Sequence, residues 1–171
     1  MDRAILTNRE LFFMLQKSLF FFDKIADQIL RKETELTLAQ FHVLMMIFMH
    51  GTTSQQLIAE MLQNTQASVS RQVALLLRKK CLTRTQNPDN KREYRLTNTA
   101  LGTTLVKKSM KALDQKLKEA FGVVAEKDKE KMVHALNKII HVMGVKHTHL
   151  HCDLAEMENM ESCVRENLKR L

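Results

Sequence analysis

The chain contains few of the residues that interrupt regular structure or cross-link a fold. Its 171 residues include only 4 Gly, 1 Pro and 3 Cys, and no Trp. So few turn-forming residues argue against a sheet-rich fold, and the three scattered cysteines form no disulfide framework. This composition predicts one domain, or one domain with an appendage, that is mainly helical and lies in a reducing intracellular compartment.

Long apolar runs and enzyme motifs are also missing. The most apolar stretch, LFFMLQKSLFFF, is interrupted by Gln16, Lys17 and Ser18, whereas a membrane helix needs about 20 apolar residues in succession. The opening MDRAILTNRE lacks the pattern of a secretion signal. The sequence shows no phosphate-binding loop, nucleophile motif or convincing carboxylate pair, so we expect no membrane contact, no enzymatic activity and no cofactor.

Negative charge is in deficit, and the excess of positive charge is local. The formal net charge is +8, which by itself is explained equally well by a basic solvated surface. Between Arg78 and Arg95, however, seven Lys or Arg residues face two acids, Asp89 and Glu93. Phosphates attract clustered cations, and each contact releases counterions, so this segment favours a nucleic-acid partner.

Three segments at the start of the chain have the apolar spacing of helices. Residues 9–32 carry an apolar arc wider than one core face needs, which is typical of a helix that also contacts a partner subunit. In LTLAQFHVLMMIFMH, Thr37 and Gln40 are spaced for a capping box. TSQQLIAEMLQ is a third, short helix capped by Thr53 or Ser54. We expect its apolar residues to face inward, namely Leu57, Ile58, Met61 and Leu62.

The fourth helix, QASVSRQVALLLRKK, has two unlike faces and can be capped by Thr65. Val69, Val73, Leu76 and Leu77 have the spacing of core residues. The N-terminal end instead carries small or polar side chains, at Gln66, Ala67, Ser68, Ser70, Arg71 and Gln72. Short side chains let a helix approach the major groove, and hydrogen-bonding groups can read base edges there. The alternative is a polar face that is merely solvated.

A basic hairpin is predicted directly after this helix. Leu82–Gln86 and Lys91–Leu96 have the composition of strands, and the sequence Asn87-Pro88-Asp89-Asn90 between them favours a turn. Two helices follow, over about residues 99–122 and 126–144. The remaining tail repeats apolar residues close to a heptad spacing, which Glu161 interrupts.

These elements predict a mainly α fold with a small β-wing, that is, a winged helix-turn-helix plus a helical dimerisation region. The expected units are an N-terminal dimerisation helix (1–35), a winged helix-turn-helix DNA-binding domain (36–98), C-terminal dimerisation helices (99–145) and a helical tail extension (146–171).

The chain resembles the MarR family of bacterial winged-helix regulators over about residues 9–145. The resemblance rests on LTLAQFHVL, on SVSRQVALLLRKKCLTR and on the wing. Arg92 stands ten residues before Gly102, which is the family's spacing between its wing arginine and the glycine of its LTxxG motif. That motif reads here Asn98-Thr99-Ala100-Leu101-Gly102.

The resemblance implies a homodimeric, cytoplasmic and nucleoid-associated regulator of transcription. Such a protein is usually a repressor that binds a palindromic operator in double-stranded DNA and is released by a small-molecule effector. The family pattern places Gln66, Ser68, Ser70 and Arg71 in the major groove and Arg92 in an A·T-rich minor groove. The full set of expected DNA-binding residues is Thr65, Gln66, Ser68, Ser70, Arg71, Gln72, Arg84, Lys91 and Arg92.

Two positions depart from the family pattern. Cys81 stands where the family often has a glycine in a left-handed conformation, so we expect strain or a different helix cap there. Asn90 replaces the usual wing aspartate, and Asp89 lies one residue earlier. This second departure leaves the positioning of Arg92 open.

Three other interpretations stay open. His147, His151 and Cys152 are candidate ligands for zinc, against the simpler interpretation of a solvated His-rich stretch. A ligand pocket between helices one, two and five would use the 11 Met and 8 Phe, as would ordinary core packing. The tail, with its four acids Asp153, Glu156, Glu158 and Glu161, fits an adaptor that binds proteins and uses DNA only weakly.

Overall fold

The structure is a computed structural model that describes residues 7–88 and 94–143. These residues form six helices and three short strands. In chain order they are α1 (Asn8–Thr34), α2 (Leu38–His50), β1 (Thr53–Ser54), α3 (Gln55–Met61), α4 (Gln66–Arg78), β2 (Leu82–Gln86), β3 (Tyr94–Asn98), α5 (Ala100–Phe121) and α6 (Glu126–Val142). The expected mainly helical fold with a small β-wing is therefore confirmed. The predicted helical tail lies outside the described residues.

Five of these helices are preceded by a Ser or Thr whose side-chain oxygen accepts a hydrogen bond from a backbone N–H of the first turn. In α2 the predicted capping box is present: the N–H of Gln40 donates to Thr37 Oγ1 at 3.1 Å, and the N–H of Thr37 donates to Gln40 Oε1 at 3.2 Å. A cap of this kind typically stabilises a helix by about 1 kcal/mol. Ser54 caps α3, whereas the other candidate, Thr53, pairs with Leu96 in the sheet.

The end of α4 is a tight turn in which the last carbonyls of the helix are satisfied. The N–H of Lys80 donates to Leu77 O at 3.0 Å, and the N–H of Cys81 donates to Leu76 O at 2.9 Å. This is the Schellman pattern, which requires one left-handed residue just after the helix. That residue is Lys80, with φ 58°. The left-handed conformation expected at Cys81 is thus found one residue earlier, because Cys81 has already turned inward and is buried.

The three strands form one antiparallel sheet in the order β1-β3-β2. Strands β2 and β3 make the wing ribbon, with a register that runs from Leu82 opposite Asn98 to Gln86 opposite Tyr94. Strand β2 has the predicted bounds. Strand β3 continues two residues beyond the predicted end at Leu96, since Thr97 and Asn98 also pair with β2. The ribbon therefore reaches back to the end of α4 on one side and the start of α5 on the other.

The core lies where α2, α3, α4, the sheet and α5 meet. Its fully buried side chains include Leu44, Ile47, Ile58, Leu76, Leu96 and Val106, and burial of each such side chain contributes about 1.5–3 kcal/mol. In α3, Ile58 and Met61 are buried as predicted and Leu62 is half-buried. The prediction for Leu57 was wrong, because it is 39% exposed. Neighbouring helical residues point about 100° apart, so Leu57 cannot share the direction of Ile58.

Helix α1 packs on α5 through its C-terminal half only. Leu30 and Thr34 are buried there, and Thr34 Oγ1 lies 3.2 Å from Ser109 Oγ of α5. In the N-terminal half of α1, large apolar side chains are exposed, including Phe12 at 56% and Phe20 at 64%. Within residues 7–88 and 94–143, no helix has both the length and the apolar character required to cross a membrane.

Candidate nucleic-acid interface

Helices α3 and α4 are joined by a short turn at residues 62–65. Gln63 takes a left-handed φ of 48°, and the N–H of Asn64 donates to Ala59 O at 2.9 Å, which ends α3. Thr65 Oγ1 then accepts the N–H of Ser68 at 3.2 Å, which starts α4 as predicted. Two helices joined by such a turn form a helix-turn-helix, in which the second helix is the one that can enter a DNA groove.

The two faces of α4 differ as the sequence predicts. Val69, Val73 and Leu76 are at most 2% exposed and fix one face in the core. The start of the helix is open to solvent, since Thr65, Gln66, Ser70 and Arg71 are all exposed. Ser68 and Gln72 are half-buried at the boundary between the two faces. The structure therefore places all six predicted residues of this helix and its cap in its N-terminal half, and four of them are exposed.

The wing ribbon carries the other predicted contacts. The guanidinium carbon of Arg84 on β2 lies 3.5 Å from the centroid of the Tyr94 ring on β3. Both side chains are exposed. Lys91 and Arg92, which were predicted for the wing tip, lie outside the described residues. The structure therefore describes the paired strands β2 and β3, which we call the stem of the wing. Of the three cations predicted for the wing, it describes Arg84.

A close contact fixes the stem of the wing to the end of α4. The N–H of Thr99 donates to Cys81 O at 3.0 Å, and Thr99 Oγ1 donates to Lys80 O at 2.8 Å. A Cβ atom at Gly102 would lie 2.1 Å from Cys81 O, so only glycine lets α5 approach this carbonyl. These contacts of Lys80, Cys81, Thr99 and Gly102 join the end of α4 to the start of α5, on either side of the ribbon.

Positive charge surrounds the exposed end of the helix-turn-helix and the wing stem. Arg71, Arg78, Lys80 and Arg84 are exposed. Lys79 is exposed too, but its Nζ donates to Glu35 O at the end of α1 at 2.6 Å, so it links the end of α4 to the end of α1. The N-terminus of α4 adds the partial positive charge of its unpaired N–H groups. This arrangement attracts a polyanion.

Residues 36–94 match the sequence model of the MarR family, and these residues span α2, the helix-turn-helix and the wing. Residues 36–94 form a MarR-family domain. No curated protein gives a significant match to the chain.

Solved structures of two regulators share the fold of this MarR-family domain and of the helices around it. Wild-type MarR from E. coli in its apo form has a TM-score of 0.67 at 20% identity, over 81% of this chain and 99% of that chain. The S. aureus MepR–DNA complex has a TM-score of 0.67 at 26% identity, over 81% of this chain and 99% of that chain. MepR, a transcription regulator of the multidrug efflux pump MepA of S. aureus, also matches at 27% identity and a TM-score of 0.63, over 80% of this chain and 98% of that chain. The chain therefore has the winged-helix architecture of MarR-type regulators.

A cavity of about 250 Å³ lies between α1, α2 and α5, and its α2 wall belongs to residues 36–94. Its wall is largely apolar and includes Phe22, Phe41 and Leu113, with His42 and Asp23 among the polar residues. Burial lowers the pKa of His42 below its ordinary value, and the charge of Asp23 opposes that effect. The cavity occupies the position where the sequence allowed a ligand pocket.

The roles of two residues near the candidate interface were not predicted from the sequence. Tyr94 was assigned only to a strand, but it forms the contact surface for Arg84. Asn98 donates from Nδ2 to Leu44 O at 2.9 Å and ties β3 to α2. The presence of arginine and tyrosine in the two paired strands could have indicated the first contact, whereas no local pattern indicates the second, because its partner lies 54 residues away.

The residues predicted to bind zinc lie outside the described part of the chain. His147, His151 and Cys152 all lie beyond the last described residue. Among residues 7–88 and 94–143, no three His, Cys, Asp or Glu side chains are grouped so that they could hold a metal ion. His42, a histidine of α2, lies on the wall of the α1–α2–α5 cavity.

Proposed function

We propose that this chain is a sequence-specific transcriptional repressor that binds a palindromic operator as a homodimer and is released by a small ligand. It acts on the bacterial nucleoid in the cytoplasm. The proposed units keep the boundaries 1–35, 36–98, 99–145 and 146–171. The proposed DNA-binding residues are Thr65, Gln66, Ser68, Ser70, Arg71, Gln72, Arg84, Lys91 and Arg92.

The observation that carries the proposal is the exposed polar start of α4 on a helix whose opposite face is buried. Gln66, Ser70 and Arg71 can approach base edges while Val69 and Val73 hold the helix in the core. Such a helix can enter the major groove without losing its packing. The structure of MepR with DNA supports the same use of this fold.

Exposed apolar surface supports the homodimer. Large apolar side chains are accessible along α1, along the end of α5 and along α6, where Leu136 is 37% and Ile139 is 39% exposed. No residue of α6 is buried within the chain, although its apolar stripe repeats at helical spacing. A second copy that covers these helices would remove this surface from water and would present two α4 helices to the two halves of a palindrome.

The cavity between α1, α2 and α5 supports release by a small ligand. It touches α2, which packs on the helix-turn-helix, as well as α1 and α5, which belong to the proposed dimer region. A ligand that fits this cavity better in one relative placement of these helices would shift the spacing of the two α4 helices. Its apolar lining favours a lipophilic ligand of modest size.

The test begins with genome-wide binding of the tagged protein and a titration of the strongest site at two salt concentrations. We expect a few sharp palindromic sites, a dimer on each, and an affinity that falls steeply as salt rises. Diffuse binding with no preference over random duplex would reject the regulator and favour the adaptor that uses its tail to bind proteins.

Arg71→Ala is the variant that tests the α4 assignment. Loss of a base or phosphate contact at Arg71 should weaken operator binding by roughly tenfold in each half-site, since such contacts contribute about 1–3 kcal/mol. Arg92→Ala tests the wing in the same way. Lys127→Ala removes an exposed cation from α6 and serves as the control, so an equal loss in all three variants would show only nonspecific charge.

A further inference from the structure

The wing stem contains a paired cation and aromatic ring whose placement follows from the strand register. Arg84 lies opposite Leu96, and Tyr94 lies two residues before Leu96, so Arg84 and Tyr94 are diagonal neighbours on one face of the ribbon. The distance of 3.5 Å from guanidinium carbon to ring centroid is well within the range of a cation–π contact. Leu82 and Leu96 lie on this same face of the ribbon and are buried in the core. Arg84 and Tyr94 therefore lie where this face leaves the core and becomes exposed to solvent.

This contact restricts the arginine without using its hydrogen-bond donors. The ring covers one side of the guanidinium, whereas the N–H groups around its edge stay available to oxygen acceptors. Arg84 is exposed, and Tyr94 is 39% exposed, so an anion in solvent can reach that edge. An arginine that is already oriented loses less side-chain freedom when it binds.

We propose that Tyr94 is a positioning residue that orients Arg84 to bind a backbone phosphate of duplex DNA beside the wing. The inference rests on the proposed function and adds to it the chemical partner of Arg84 and the residue that prepares it. A phosphate is the favoured acceptor because the planar guanidinium fork matches two phosphate oxygens. Base reading falls instead to α4 and to the wing tip, which the resemblance assigns to the grooves.

The experiment uses the full chain and two probes: a duplex that the protein selects from a random pool, and a random duplex of the same length. Wild type is compared with Tyr94→Phe, Tyr94→Leu, Arg84→Gln and the double variant Tyr94→Leu/Arg84→Gln. Affinity for both duplexes is measured at two or more salt concentrations. Thermal unfolding of each variant checks that the domain stays folded, and Lys127→Gln controls for the loss of one remote cation.

We expect Tyr94→Phe to bind like wild type, because its ring face is retained. Tyr94→Leu should bind about two- to fivefold more weakly, the range of an exposed cation–π contact, and equally so on the selected and the random duplex. The loss should vanish when Arg84 is already Gln. Arg84→Gln should also reduce the salt slope by about one per subunit, which Tyr94→Leu should not do.

Several results would overturn the proposal. An equal loss in Tyr94→Phe would assign the effect to the phenol hydroxyl, and a loss in Tyr94→Leu that persists without Arg84 would assign it to the ribbon itself. A loss confined to the selected duplex would point to base reading, and wild-type affinity in Tyr94→Leu would leave Tyr94 without a role in binding. Failure of the proposed function gives a different result: wild type would select no sequence, while the phosphate contact would still be measured on random duplex.

Discussion

At the scale of single residues, Gly102 sets how closely α5 approaches the end of α4. A methyl group at this position would lie 2.1 Å from Cys81 O, a carbonyl that already accepts the N–H of Thr99. Neither group can move easily, because Cys81 is 1% exposed and the hydrogen bond holds its carbonyl in place.

Gly102→Ala should therefore destabilise the domain by about 1–3 kcal/mol, the usual cost of forcing an extra methyl group into a packed site. Urea unfolding followed by circular dichroism measures this change. Leu101→Ala, next along the helix and 48% exposed, is the control and should change stability by no more than about 0.5 kcal/mol. Equal stability of Gly102→Ala and wild type would mean that α5 does not approach Cys81 so closely.

At the scale of elements, Asp27 joins α1 to α2. Its Oδ1 accepts a hydrogen bond from the backbone N of Leu38, at the start of α2, with an N–O distance of 2.8 Å. Its Oδ2 accepts a hydrogen bond from Arg31 Nε at 2.5 Å. The hydrogen bond from Arg31, and then that from the backbone of Leu38, lower the pKa of Asp27 below its ordinary value. The carboxylate is therefore more stable in the folded chain than in the unfolded one.

Asp27→Asn should cost about 1 kcal/mol at pH 7, because an amide oxygen is a weaker acceptor and has no charge for Arg31. The lowered pKa of Asp27 also determines how its contribution to the free energy of unfolding depends on pH. This contribution is complete above the unfolded pKa, near 4, and is lost as the pH falls through the lower folded pKa. The difference in free energy of unfolding between variant and wild type should thus shrink as the pH falls below about 4.

Asp114→Asn provides the matched control for that comparison. Asp114 pairs with Lys118 at 2.8 Å on the same helix, but both side chains are well exposed, and such pairs contribute little. Its removal should leave stability nearly unchanged at every pH. If Asp27→Asn behaved in the same way, the α1–α2 junction would not depend on the carboxylate.

At the scale of the whole molecule, the outer helices α1, α5 and α6 carry large apolar side chains that stay exposed within the described part of the chain. Phe22 of α1 stacks on Phe121 of α5 with ring centroids 5.4 Å apart, and yet both rings remain more than one third exposed. Exposed apolar surface of this extent is typical of an interface with a partner, which agrees with the proposed homodimer. The proposed homodimer places a second copy there.

If the proposed homodimer forms through α6, Leu136→Glu should convert it to a monomer in sedimentation velocity at low micromolar concentration, because a charge would enter the apolar stripe. Operator binding should fall by roughly tenfold or more, since each monomer offers only one α4 to the site. Lys138→Glu, an exposed position on the same helix, should leave both properties nearly intact. A dimer that survives Leu136→Glu would exclude α6 from the interface.

The sequence alone determined those features that depend on neighbours within a few residues. Helix starts at Thr37 and Thr65, the unlike faces of α4 and the bounds of β2 were all predicted, since capping, helical periodicity and strand composition are local. The order of these elements was enough to predict the winged helix-turn-helix.

Only the tertiary structure decided the features that join distant residues. The contact of Gly102 with Cys81, the stacking of Arg84 on Tyr94 and the cavity between α1, α2 and α5 depend on how the elements pack. The outward position of Leu57 depends on it too, because two adjacent apolar residues of a short helix compete for one direction to the core. Local patterns state which side chains prefer to be buried, whereas packing against the rest of the chain decides which of them are.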